Sequence, residues 1–140
     1  MAFTIDWELD TEEPLVAESL LGRITLHNGE EKIVEGSVYL DSWLETLARA
    51  AKESPPTEAD GATFEIVEES KPLKVRAWNG GLIVSFRGQD VSSDSQEDFQ
   101  RAVVRAGTTF LDRTRNLRGA SENSRLERLR LLLNEFHLFR

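Results

Sequence analysis

Two histidines and no cysteine leave this 140-residue chain few ways to do chemistry. Without thiolates, His27 and His137 would need carboxylates from scattered segments to complete a zinc site. His27 precedes a predicted hairpin turn, and His137 falls in the last turn of a predicted helix, where an imidazolium suits the dipole. A nucleophile must be held beside an activating base. Ser37, Ser85 and Ser92 have no Gly-x-Ser-x-Gly context, and no Gly-Lys-Ser/Thr phosphate loop follows a strand. Paired carboxylates remain at Glu12-Glu13, Glu30-Glu31 and Glu68-Glu69. Adjacent residues on a strand point to opposite faces, so these pairs do not converge on one substrate. The expectation is therefore no catalytic residue, no metal site and no cofactor.

Charge carries more information than any motif. Residues 1–70 hold 17 Asp/Glu against 4 Lys/Arg, a net of −13, while residues 71–140 hold 8 against 13, a net of +5. Sorting of this kind steers partners. Glu53, Glu58, Asp60, Glu65, Glu68 and Glu69 gather in a central loop and the strand after it. Carboxylates so placed speed association with a basic protein. Trp78 joins them as an interface candidate, because Lys74 and Arg76 share its face at a hairpin tip and exposed Trp beside arginine is a hot-spot combination.

The basic half offers a competing site made of Arg101, Arg105, Arg113, Arg115, Arg118, Arg125 and Arg128. Arginine suits bidentate contacts to carboxylate or phosphate. Such a row reads either as a nucleic-acid surface or as a helical face that pairs internally with the acidic half. No aromatics interleave with the arginines for base stacking, and a net charge of −8 opposes phosphate backbones and anionic membranes. Internal pairing is the expected role, and nucleic acid is not an expected partner.

These residues must be positioned by strands, turns and capped helices. Phe3, Ile5, Trp7 and Leu9 alternate with polar residues, the period of a half-buried strand. Strands are predicted at Leu21–His27 and Lys32–Leu40 around Asn28-Gly29, a type I′ turn signal, with Gly36 marking either a bulge or a close approach. Ser42 and Glu45 form a capping box for a helix that ends near Lys52, before Ser54-Pro55-Pro56. Further strands are predicted at Thr63–Glu69, Leu73–Trp78 and Leu82–Phe86, the last two around Asn79-Gly80-Gly81. Asp94 and Ser95 offer an N-cap for a helix with a Phe99, Val103, Ala106 and Phe110 stripe, and Ser124 with Glu127 caps a last one. Trp7 and Trp43 lie on apolar stripes and belong to the core.

The order is β-β-β-α-β-β-β-α-α. It predicts one α+β domain over residues 1–140, an antiparallel sheet of about six strands with three helices mainly on one face. Residues 1–52 and 63–117 read as pseudo-repeat halves, followed by a helix at 124–139. No basic, apolar leader opens the chain and no run spans a bilayer, so a cytoplasmic protein without membrane contact is expected.

In size, charge and architecture the chain resembles the immunity proteins that neutralise bacterial toxins. The resemblance implies a non-catalytic inhibitor whose acidic surface docks on a basic partner protein such as a nuclease. The alternatives are a nucleic-acid-associated regulator using the arginine helices, and a homo-oligomer in which one protomer's acidic sheet meets another's basic helices.

Overall fold

Buried and exposed side chains alternate along the first strand as its period of two requires. A computed structural model describes residues 2–10, 20–53, 61–117 and 119–136. Its elements are β1 (Thr4–Leu9), β2 (Leu21–Asn28), β3 (Glu31–Tyr39), α1 (Leu40–Glu53), β4 (Ala62–Phe64), β5 (Leu73–Trp78), β6 (Gly81–Phe86), β7 (Gln89–Ser93), α2 (Gln96–Thr114), a 3-10 turn at Ala120–Glu122, and α3 (Ser124–Leu133). The class is α+β. No helix among the described residues is long and apolar enough to cross a membrane.

The single six-stranded sheet expected from the sequence is replaced by two antiparallel sheets, β1-β2-β3 and β4-β5-β6-β7. The unexpected strand is β7. Its sequence, Gln-Asp-Val-Ser-Ser, holds one apolar residue, too few to display a period. The turn before it creates the strand: Arg87 and Gly88 both have positive φ, 49° and 77°, as a type I′ hairpin requires. Asn79 and Gly80 do the same for the β5–β6 hairpin, as predicted. Asn28-Gly29 does not, because the loop residues are Gly29 and Glu30 with positive φ only at Gly29, while Asn28 pairs with Glu31.

Edge strands β3 and β7 face each other across a seam held by side chains. Asn28 Nδ2 donates to the Ser92 carbonyl at 2.7 Å, and Glu31 Oε1 accepts from the Ser92 N–H and hydroxyl at 3.2 and 2.7 Å. Gln89 Oε1 accepts from the Val34 N–H at 3.1 Å, while its Nε2 donates to Glu35 at 2.9 Å. Side chains thus satisfy edge groups that would otherwise seek a foreign strand. The Gly36 bulge is real: β3 carries one extra residue opposite Gly22–Ile24, and Ser37 takes a φ of 53°.

The inward faces of the strands supply Ile5, Ile24, Leu26, Ile33, Val75, Leu82, Val84 and Val91 to the core. Helix α1 lies against β2, β3 and β4, α2 against β1 and β7, and α3 against α1 and α2. Edge-to-face ring pairs lock these layers: Phe3–Phe99 at 5.2 Å, Trp7–Phe110 at 5.1 Å and Trp43–Phe86 at 4.7 Å. Each is worth about 0.5–1.5 kcal/mol beyond its buried area. Trp43 is fully buried as expected, and Trp7 is partly buried against the core.

Helix starts differ from the predicted caps in two of three cases. Ser95 caps α2 as expected, accepting from the Asp98 N–H at 3.0 Å. Helix α1 begins at Leu40, which puts Ser42 inside it, and the Ser42 hydroxyl is buried without a hydrogen bond. Asn123, not Ser124, caps α3, accepting from the Arg125 and Leu126 N–H groups at 2.9 and 3.1 Å.

Candidate functional site

The predicted strand Thr63–Glu69 stops at Phe64, and the chain then enters a turn that presents its side chains. Glu69 N–H donates to the Ile66 carbonyl at 3.0 Å, closing Ile66-Val67-Glu68-Glu69. Glu68, the third residue, has a φ of 75°. A type II turn demands that left-handed value and prefers glycine there. A glutamate held in it costs roughly 1–3 kcal/mol, which the surrounding structure must offset. Ile66 is buried under the turn, whereas Val67 is 48% exposed at its crest, with Glu65 and Glu68 exposed on either side. Neither of those two carboxylates has a hydrogen bond or ion pair among the described residues.

Helix α1 braces the turn at both ends. The Trp43 indole N–H donates to Glu69 Oε2 at 3.0 Å, and Arg49 Nη2 donates to the Glu65 carbonyl at 2.8 Å. Arg49 is held in turn by Glu45, its Nε donating to Oε2 at 3.3 Å. Glu45 is only 4% exposed, and its Oε1 is buried without a hydrogen bond. Arg128 from α3 stands 3.7 Å from that oxygen, so one buried carboxylate faces two guanidinium groups. A contiguous set of contacts therefore runs from α3 through Glu45 and Arg49 to the foot of the turn.

The structure brings together only part of the acidic site expected from the sequence. Glu65, Glu68 and Glu69 share the turn. Glu53 ends α1, and Glu58 and Asp60 lie outside the described residues. Trp78 is 49% exposed, with the Arg76 guanidinium 5.5 Å over its ring. Yet Leu73 pairs with Phe64 while Trp78 pairs with Gly81, which puts Trp78 at the far end of β5 from the turn. At about 3.3 Å per residue that is roughly 17 Å. Trp78 does not belong to the same patch.

The basic residues divide into three groups, so they form no single patch. Arg101 and Arg105 line the flank of α2 beside β1, with Arg101 bonded to Glu97 at 2.5 Å. Arg113 and Arg115 stand at the C-terminal end of α2, Arg115 being 3.7 Å from Asp112, and Arg118 lies outside the described residues. Arg125 and Arg128 stand on the side of α3 that meets α1, 3.8 Å from Asp41 and 3.7 Å from Glu45, with Arg128 itself still exposed. Farther along α3, the Arg130 hydrogen bond to Glu127 holds the Glu127 carboxyl below its ordinary range and raises Arg130.

Sequence reasoning missed Trp43, Arg49 and Glu45 as supports of the turn. The spacing of Glu45 and Arg49 at i, i+4 was a visible signal for their pairing, but nothing local tied either to residues 65–69. His27 sits 2.8 Å from Asp6 in an exposed cross-strand pair. No group of three or more potential metal ligands occurs among the described residues. Comparison with protein-family models, with curated proteins and with solved structures finds no match.

Proposed function

We propose that this chain is a non-catalytic protein-binding module, acting in the cytoplasm as an immunity-type inhibitor that docks its acidic turn on a basic partner. The observation that carries the reading is the turn itself. A strained glutamate, an exposed valine and a second unpaired carboxylate sit on a rigid, doubly braced support. Strain kept at an exposed position is characteristic of functional sites. An exposed apolar side chain ringed by carboxylates matches a partner's apolar pocket rimmed by Lys and Arg. Two of the arginines that a nucleic-acid reading would use, Arg125 and Arg128, stand at ion-pair distance from α1 instead.

The test is a titration against the basic protein encoded beside this gene, comparing the native chain with Glu65→Lys/Glu68→Lys. Binding at micromolar strength or tighter is expected, at least tenfold weaker in the double variant and weaker again as salt rises. A complex indifferent to the charge reversal, or none at micromolar concentration, would overturn the reading.

A further inference from the structure

Strand β1 is an edge of its sheet, and the direction of its backbone groups can be read from two hydrogen bonds. Asp10 N–H donates to the Leu21 carbonyl, toward β2, while Phe3 N–H points the other way and donates to Asp98 Oδ2 on α2 at 3.0 Å. Alternation along a strand then directs the N–H and C=O of Ile5, Trp7 and Leu9 away from β2 as well. Beyond this edge runs a cleft of about 390 Å³ between Ala2–Asp6 and the flank of α2, lined there by Asp98, Arg101, Ala102 and Arg105. Beyond Asp6, the last strand residue to line it, Trp7 is tied to α2, its indole N–H bonded to the Ala106 carbonyl at 3.2 Å. Asp98 already takes the first outward N–H, as the acceptor of an added strand would.

The charges around the cleft are unevenly partnered. Asp98 is engaged by Phe3, Asp6 by His27 and Arg101 by Glu97. Arg105 is exposed and has no ion pair among the described residues, which leaves its cation at the lip of the cleft.

We infer that the β1–α2 cleft accepts an extended peptide segment by strand addition, with a carboxylate side chain of the segment meeting Arg105. Main-chain bonds to the Ile5 N–H and C=O supply affinity, and the charge selects sequence. The segment is short, because the cleft runs only along Ala2–Asp6 on the strand side. The site is separate from the acidic turn, and its partner is acidic where the turn's is basic.

The experiment titrates the ¹⁵N-labelled full chain with three pentapeptides, acetylated and amidated. These are Thr-Val-Glu-Val-Thr, the same peptide with Lys for Glu, and the same peptide N-methylated at both valines. The first should shift the Ile5 and Trp7 amide resonances and those around Arg105. The Lys and N-methylated peptides should bind at least tenfold more weakly. Arg105→Glu, an exposed substitution outside the core, should reverse the preference between Glu and Lys. No shift at millimolar peptide, shifts confined to other strands, or equal binding of the N-methylated peptide would overturn the proposal. None of these outcomes bears on the acidic turn.

Discussion

The indole N–H of Trp43 reaches the carboxylate of Glu69 at 3.0 Å, while the same ring meets Phe86 edge-on at 4.7 Å. One fully buried side chain thereby touches both the core beneath β6 and the foot of the acidic turn. A crest held this way has little freedom left to lose when a partner docks, and preorganisation lowers the cost of binding.

Removing Glu69 tests that brace. Glu69→Ala leaves the buried Trp43 N–H without an acceptor, which costs about 1–3 kcal/mol. Glu69→Gln keeps an oxygen in place and is expected to lose much less. Urea denaturation gives both values. Equal stability of the Ala and Gln variants would show that the bond does not hold the turn.

Glu68 makes the opposite prediction. Its φ of 75° suits glycine, so Glu68→Gly should stabilise the fold by about 1 kcal/mol while removing one carboxylate from the crest. A variant that is harder to unfold yet binds the basic partner more weakly is the expected pair of results. Calorimetry measures the first, and titration against the basic partner measures the second. A destabilised glycine variant would mean that Glu68 makes contacts that offset its backbone strain.

Strand β1 was legible because Phe3, Ile5 and Trp7 alternate with residues that face water. Helix α2 was legible because Ser95 stands immediately before its apolar stripe. β7 was not, since its place is set by a turn and by a seam whose partners, Asn28, Glu31 and Glu35, lie more than fifty residues away. Asn28 shows how a local signal misleads: the side chain that suggested a turn is spent on the Ser92 carbonyl. The charge sorting has a similar explanation. Asp41 and Glu45 are one turn apart on α1, Arg125 and Arg128 nearly so on α3, and only the folded chain shows that these two pairs face each other. Of the acidic site, the grouping of Glu65, Glu68 and Glu69 was readable because they are close in sequence. The exclusion of Trp78 was not, because it depends on the length and direction of β5.

Acid should loosen α3 in a predictable sense. The Arg130 hydrogen bond lowers the folded pKa of Glu127 below the ordinary carboxylate value of about 4.3. Its contribution is therefore complete above that value and is lost as pH falls through the lowered one. Both side chains are exposed, so the effect is local: amide exchange in α3 should quicken below about pH 4 relative to Glu127→Gln, in which the pair is already absent. Identical exchange profiles for the two proteins across that range would contradict it.

Asn123 joins two functions in one side chain, which makes its substitutions informative. Oδ1 caps α3 by accepting from the Arg125 and Leu126 N–H groups, and Nδ2 donates to Asp41 Oδ2 at 3.1 Å. Asp41 is 2% exposed, its other oxygen accepting from the Ser42 N–H at 3.0 Å, with Arg125 3.8 Å away. Asn123→Ala removes a cap worth about 1 kcal/mol and a donor to a buried carboxylate worth about 1–3, so a loss of about 2–4 kcal/mol is expected. Asn123→Ser restores the cap alone and should recover only the smaller share. Asn123→Asp also keeps the cap but sets a second carboxylate against Asp41, and like charges at hydrogen-bond distance repel. It should be at least as destabilised as Asn123→Ala near neutral pH. A stable aspartate variant at neutral pH would mean that α3 is held by Leu126 and Leu129 in the core, with Asp41 contributing little.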